Sequence, residues 1–241
     1  MSLLSNLTSD DAIANEKDSV GGGGVLASGL YPATVSLAYA TKSAGGATGL
    51  VVHAKTSEGR DIRQTLWMTS GTAKGAKNYY EKDGVKNYLP GYIAANALSL
   101  LATGKEIFQL ETEIKVVNVY SYDAKAEVPT KVEVPVDLMG KEIVIGLIKQ
   151  TVDKTTKNET TGAYEPTGET REENEIDKFF RAADMMTTAE IRGAANEPVF
   201  YNTWSEKWTD KVRDKANKTA GTAGSPRASN AMKKPVTSLF G

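Results

Sequence analysis

The stretch Leu30-Tyr31-Pro32-Ala33-Thr34-Val35-Ser36-Leu37-Ala38-Tyr39 decides how the rest of the chain is read. Tyr31, Ala33, Val35, Leu37 and Tyr39 recur at every second position, the period of a strand with one buried face. A turn at Ser43-Ala44-Gly45-Gly46 ends it, and two further strands are expected at Thr48 to Thr56 and Arg60 to Thr69. Between those two, Ser57-Glu58-Gly59 is short enough for a hairpin with glycine near its tip.

Downstream the period changes. After the polar, glycine-bearing segment Gly71 to Pro90, the stretch Gly91 to Thr103 sets Tyr92, Ala95, Asn96, Leu98, Leu101 and Ala102 at helical spacing, closed by Gly104 and Lys105. A fourth strand is expected from Ile114 to Tyr122. A fifth follows from Lys141 to Val152, with Ile143, Ile145 and Leu147 on one face. Three strands, a helix and two strands is the element order of an OB-fold, a five-stranded Greek-key barrel that often binds oligonucleotides. The expected fold class is therefore mainly β: an OB-like barrel with one helix between strands three and four.

The flanks carry less pattern. Residues 1–29 read as a flexible segment; their four glycines, Gly21 to Gly24, lack the Gly-Lys-Ser/Thr ending that a phosphate loop needs. Residues 30–208 hold the expected barrel domain with its insertions. Asp153 to Asn174 is polar and suits an extended loop or hairpin arm. Ile176 to Met186 returns to the body, because Phe179, Phe180, Met185 and Met186 need cover. Thr187 and Glu190 form the signature of a capping box, and Val199 to Trp208 carries Phe200, Tyr201, Trp204 and Trp208 to pack on the body. Residues 209–241 read as a disordered tail, with seven basic residues against two acidic, a net +5, and an apolar tip at Leu239-Phe240.

Composition excludes several chemistries. The 241 residues contain no cysteine and one histidine, which removes disulfides, thiolate nucleophiles and cysteine zinc sites. His53 lies in the apolar run Leu50 to Ala54 with no triad or ligand set nearby and reads as structural. Glu172, Glu173, Glu175 and Asp177 are close in sequence, but a metal site needs carboxylates converging from different elements. No catalytic residues, metal or cofactor are expected. The sequence shows no targeting signal and no apolar run long enough for a membrane helix, so a cytoplasmic protein without a membrane partner is expected.

With a net charge of −1, any nucleic-acid footprint must come from local clustering. Arg60 to Tyr92 supplies it: Arg60, Arg63, Lys74, Lys77, Lys82 and Lys86 alternate with Trp67, Tyr79, Tyr80, Tyr88 and Tyr92. Cations neutralise phosphates and release counterions, and flat rings stack on unpaired bases. Trp67 ends a strand and suits the core first and a platform second. Tyr79 and Tyr80 are adjacent, so in an extended chain they point opposite ways. Tyr120 and Tyr122 share one face of the expected fourth strand, either core or ligand face.

The chain also resembles single-stranded DNA-binding proteins of tailed bacteriophages. The resemblance is carried by Gly29-Leu30-Tyr31-Pro32-Ala33, Thr65-Leu66-Trp67-Met68-Thr69-Ser70-Gly71, Tyr88-Leu89-Pro90-Gly91, Ala124 to Lys131, Ile148 to Lys154, Gly168 to Glu175 and Ser238-Leu239-Phe240-Gly241. It implies an OB-fold and a non-catalytic role in phage DNA replication or recombination in the host cytoplasm. It also implies a mobile C-terminal tail that recruits a DNA polymerase, a helicase or recombination proteins, here through Leu239 and Phe240. The basic charge of this tail departs from the acidic tails of many single-strand binders. Two other readings fit a long β-rich chain: a virion component, or an inhibitor of a host enzyme.

Overall fold

The computed structural model describes residues 24–121, 124–158, 160, 162 and 164–216. Among them strands β1 (Gly29–Lys42), β2 (Thr48–Thr56) and β3 (Asp61–Trp67) pair in order, all antiparallel. On the other side of β1 lies β8 (Glu142–Lys157), and β9 (Tyr164–Arg181) runs back along the far edge of β8. A short last strand, β10 (Val212–Asp214), pairs with Lys149 to Thr151 in parallel, on the edge of β8 that β1 has left.

The first three strands lie within a residue or two of their expected bounds, but the expected single face of β1 does not survive. A bulge between Val35 and Leu37 shifts the phase by one residue. Ala33 and Val35 face the main core, whereas Leu37 and Tyr39 face the opposite side of the sheet. The expected fourth strand is a second correction. Ile114 to Ser121 belongs to β6 (Thr112–Ser121), which pairs only with β7 (Ala126–Pro135) in a separate two-stranded hairpin. The partners flanking the main sheet are instead β8 and β9. No ladder joins β3 to β9 among the described residues, so the closed barrel is not found. A side-chain hydrogen bond spans the seam: the Ile176 N–H donates to Gln64 Oε1 at 2.6 Å.

One face of the sheet is covered by α1 (Pro90–Thr103), which begins on a proline suited to its first turn. Ala95, Leu98 and Leu101 of this helix pack on Val35, Leu50, Val52, Leu66, Ile143, Ile145, Leu147 and Phe179. The outer face has two separate covers. The hairpin β6–β7 lays Val117, Val119, Val132 and Val134 over Tyr39 and Val51. Helix α3 (Val199–Trp208) lays Trp204 and Tyr201 over Val144, Ile148 and Phe180. Between strand and helix, α2 (Thr188–Arg192) starts with the expected capping box of Thr187 and Glu190.

One segment read from sequence as a loop holds strands, and the expected loop or hairpin arm is the hairpin arm. Gly71 to Pro90 contains the hairpin β4 (Tyr79–Lys82) and β5 (Val85–Tyr88). Asp153 to Asn174 is the outer part of the β8–β9 ladder, paired out to Lys157 and Tyr164. The tail expected to be disordered from Thr209 is structured through β10; Leu239 and Phe240 lie outside the described residues, as do residues 1–23 of the expected flexible segment.

Candidate nucleic-acid interface

Strand β3 has a buried and an open side. Ile62 and Leu66 point into the core, while Asp61, Arg63 and Trp67 point out and are exposed. Neither outer cover reaches them. The register sets Arg63 opposite His53, Thr65 opposite Val51 and Trp67 opposite Gly49. Gly49 is required there: a methyl group in its place would lie 2.8 Å from the indole of Trp67. The ring therefore lies over bare backbone and remains 44 % exposed, so it is not a core residue.

Four residues back on the same face, an Arg63 guanidinium nitrogen stands 3.5 Å from the Tyr39 hydroxyl, the limit of a hydrogen bond. The Tyr39 and His53 rings lie 6.0 Å apart. Burial, then the charge of Arg63, holds the His53 imidazole below its ordinary value of 6.5. Its Nε2 is buried without a hydrogen-bond partner. Asp61 and Glu127 pull the other way. Glu127 belongs to β7 and pairs with Tyr120 of β6, so the tip of that hairpin stands near the same face. Tyr120 is 42 % exposed; its expected companion Tyr122 lies outside the described residues.

The second group sits on the β4–β5 hairpin, which leaves the end of β3 and leads into α1. The loops around it are tied together: the Thr72 N–H donates to the Gly45 carbonyl at 2.8 Å, and the Ser70 N–H to the Lys77 carbonyl at 2.8 Å. Pairing of Tyr79 with Tyr88 and Glu81 with Lys86 puts these four on one side. Tyr79 meets Tyr88 edge to face at 6.1 Å, and Tyr88 stacks on Tyr92 of α1 at 5.4 Å. The Nζ atoms of Lys86 and Lys77 stand 4.7 and 5.6 Å from the Tyr79 ring centre. Tyr80 and Lys82 face the other side of the hairpin, and Lys74 lies in the exposed turn before it.

The expected site residues thus form two groups. Arg63 and Trp67 share the outer face of β3 with the tip bearing Tyr120; Lys77, Tyr79, Lys86 and Tyr88 share one side of the hairpin. Arg60 joins neither. It lies at the opposite end of β3 from Trp67, where its guanidinium donates to the Gly24 carbonyl at 2.7 Å. Sequence reading missed Lys55, which is exposed and pairs with Asp61 on the outer face. It also missed Phe108, 71 % exposed in the turn after α1. Lys55 shares the period of His53 and could have been found by it; Phe108 has no periodic signal.

The acidic run on β9 is taken up internally. Arg213 of β10 donates to Glu175 at 2.7 Å and to Gln150 at 2.8 Å, and Lys215 pairs with Glu175 at 2.6 Å. Burial pushes the Glu175 carboxyl up, but the hydrogen bond from Lys215 and the charge of Arg213 outweigh it and hold it below the ordinary carboxylate range. Glu172 pairs with Lys149, and Glu173 with Arg171. Among the described residues no group of three or more His, Asp or Glu side chains is arranged to hold a metal ion, and no helix is long and apolar enough to cross a membrane. In comparison with known proteins, no family model and no curated protein matches this chain.

Proposed function

We propose that this chain binds single-stranded DNA with little base preference and performs no catalysis. The observation that carries the reading is Trp67: a half-exposed indole laid over Gly49, on the same strand face as Arg63, which neither outer cover buries. Such a ring stacks on any unpaired base, while a guanidinium on the same face meets phosphate. We read the fold as an OB arrangement opened at one seam. Support for this comes from the antiparallel pairings β3–β2–β1–β8–β9 in that order, and from the Gln64–Ile176 hydrogen bond at the place where a β3–β9 ladder would close such a barrel. In OB-folds the face of strands two and three takes oligonucleotides, and Trp67 and Arg63 lie on that face here. Protection of single strands during phage replication or recombination in the host cytoplasm follows as the role. Recruitment of a polymerase, helicase or recombination protein through Leu239 and Phe240 belongs to the same proposal.

Mobility shift of a labelled oligonucleotide tests this reading. Binding to the single strand at least about tenfold tighter than to duplex is expected, since rings stack only on unpaired bases. Replacing Lys74, Lys77, Lys82 and Lys86 together by alanine should flatten the dependence of log affinity on log salt, by about 0.7 for each phosphate no longer neutralised. Equal affinity for both forms would remove the stacking model. A second reading, as a structural or host-inhibiting protein, is favoured by Ile114 and Val116, which stand 74 % and 62 % exposed on the β6–β7 hairpin. It requires negligible oligonucleotide binding at physiological salt.

A further inference from the structure

The turn after α1 presents an aromatic ring that the fold itself leaves unused. Ile107–Gln109 forms one 3-10 turn, locked from both ends. The Ile107 N–H donates to Asn96 Oδ1 at 2.9 Å and the Glu106 N–H to Gln109 Oε1 at 2.8 Å. The Glu106 side chain accepts in return from the backbone of Gln109. Ile107 packs on the main core and Leu110 is buried within it. Between these anchors Phe108 points into solvent. Leaving such a ring in water gives up stabilisation that burial would supply, and it becomes informative through what stands around it.

Phe108 does not stand alone. With Met68, Lys77, Asn78, Tyr79 and Tyr92 it lines a cleft of about 370 Å³. Tyr88 stacks behind Tyr92, their ring centres 5.4 Å apart. Lys77 and Lys86 lean on the ring of Tyr79. Met68 directly follows Trp67 but packs on the main core, so the cleft lies round the end of β3 from the Trp67 face.

We propose that this cleft receives one unpaired nucleobase of the same strand that crosses Trp67, stacked against Phe108, with its flanking phosphates on Lys77 and Lys86. The proposal rests on the single-strand reading above and extends it round the end of β3. Flat rings lining an open cleft suit a flat ligand, and two cations beside them suit one that carries phosphate. An aliphatic side chain of a protein partner would satisfy the rings and leave the cations without a counter-charge.

The test uses the full chain, a thymidine oligonucleotide and its 5-iodouracil form for photocrosslinking. Phe108→Ala should bind the oligonucleotide about tenfold more weakly, a loss of about 1.4 kcal/mol, with the slope of log affinity against log salt unchanged. Phe108→Trp should restore binding, and crosslinks should map to Phe108, Tyr79 or Tyr92. The melting temperature of Phe108→Ala should equal that of the unaltered chain, because the ring covers no core. If the unaltered chain binds single strands while Phe108→Ala binds equally well and crosslinks fall only at Trp67, the cleft proposal is overturned and the single-strand reading stands. If the unaltered chain binds no oligonucleotide, both fall. If Phe108→Ala keeps its DNA affinity but changes the mass of the particle in solution, the cleft is an interface between copies and the proposal is equally overturned.

Discussion

Trp67 and Trp204 lie on the same outer side of one sheet, and each sits over a glycine. A methyl group on Gly146 would come within 3.0 Å of the Trp204 ring, as one on Gly49 would come within 2.8 Å of Trp67. Their fates differ. Trp204 is 3 % exposed, its Nε1 donates to Asp177 at 2.8 Å, and Phe180 meets it edge to face at 6.4 Å. Trp67 keeps nearly half its surface in solvent. The local device, an indole on bare backbone, is shared; what is built around it decides whether the ring becomes a core anchor or an open platform. Trp204 arrives on a helix that closes over β8, whereas Trp67 belongs to the strand itself and the β6–β7 cover stops short of it.

Breaking the two rings should separate stability from binding. Trp204→Ala should cost about 3–5 kcal/mol of unfolding free energy, as large-to-small core changes do, and denaturant titration measures it. A loss below about 1 kcal/mol would mean that α3 is not a structural cover. Trp67→Ala should cost the fold no more than about 1 kcal/mol but reduce oligonucleotide affinity by about 1–3 kcal/mol, read by fluorescence titration. Unchanged affinity would remove the platform and with it the main support for DNA binding.

The smallest effect concerns the histidine beneath the open face. His53 is held below its ordinary value of 6.5 by burial and by Arg63, so the unfolded chain takes up a proton at higher pH than the folded one. Stability is therefore unaffected well above pH 6.5 and declines as the pH falls through that value. His53→Gln should flatten this part of the pH profile of the melting temperature. An identical slope in both proteins would show that His53 contributes nothing to it.

The same comparison explains what could be read from sequence. Strand β3 and helix α1 were legible because each buries one regular face, and burial writes a period into the chain; β1 was legible as a strand, but its bulge moves the buried side from one face to the other partway along. Strand β6 wrote the same period, since Val117 and Val119 are also covered, but alternation does not say against which sheet a face packs. The outer part of β9 could be read only as a loop or a hairpin arm, for the opposite reason: from Tyr164 to Glu172 both faces are exposed, so no apolar alternation exists to choose between them. The β4–β5 hairpin does carry a local signal. Asp83-Gly84 at its tip have φ of 53° and 75°, and Asp-Gly between two short strands marks a hairpin turn of this kind. Of the site residues, the cations and rings of β3 and β4–β5 were visible as composition, yet their division into two groups depends on strand register. Tyr79 and Tyr80 are neighbours in sequence and opposites in space. Arg60 looked equivalent to Arg63 and is separated from Trp67 by the whole length of β3.

Ser28 carries a consequence of another kind. Its hydroxyl donates to the Lys211 carbonyl and accepts from the Lys149 N–H, and its own carbonyl accepts from the Asp210 N–H. The residue just before β1 and the residues that lead into β10 are thus stitched together through one buried serine. Topologically, residues 28–211 are almost a loop closed on itself. The chain enters β1 beside the point where it runs into β10. A pull applied between those two points would load this seam first and the large antiparallel ladders only after it had parted.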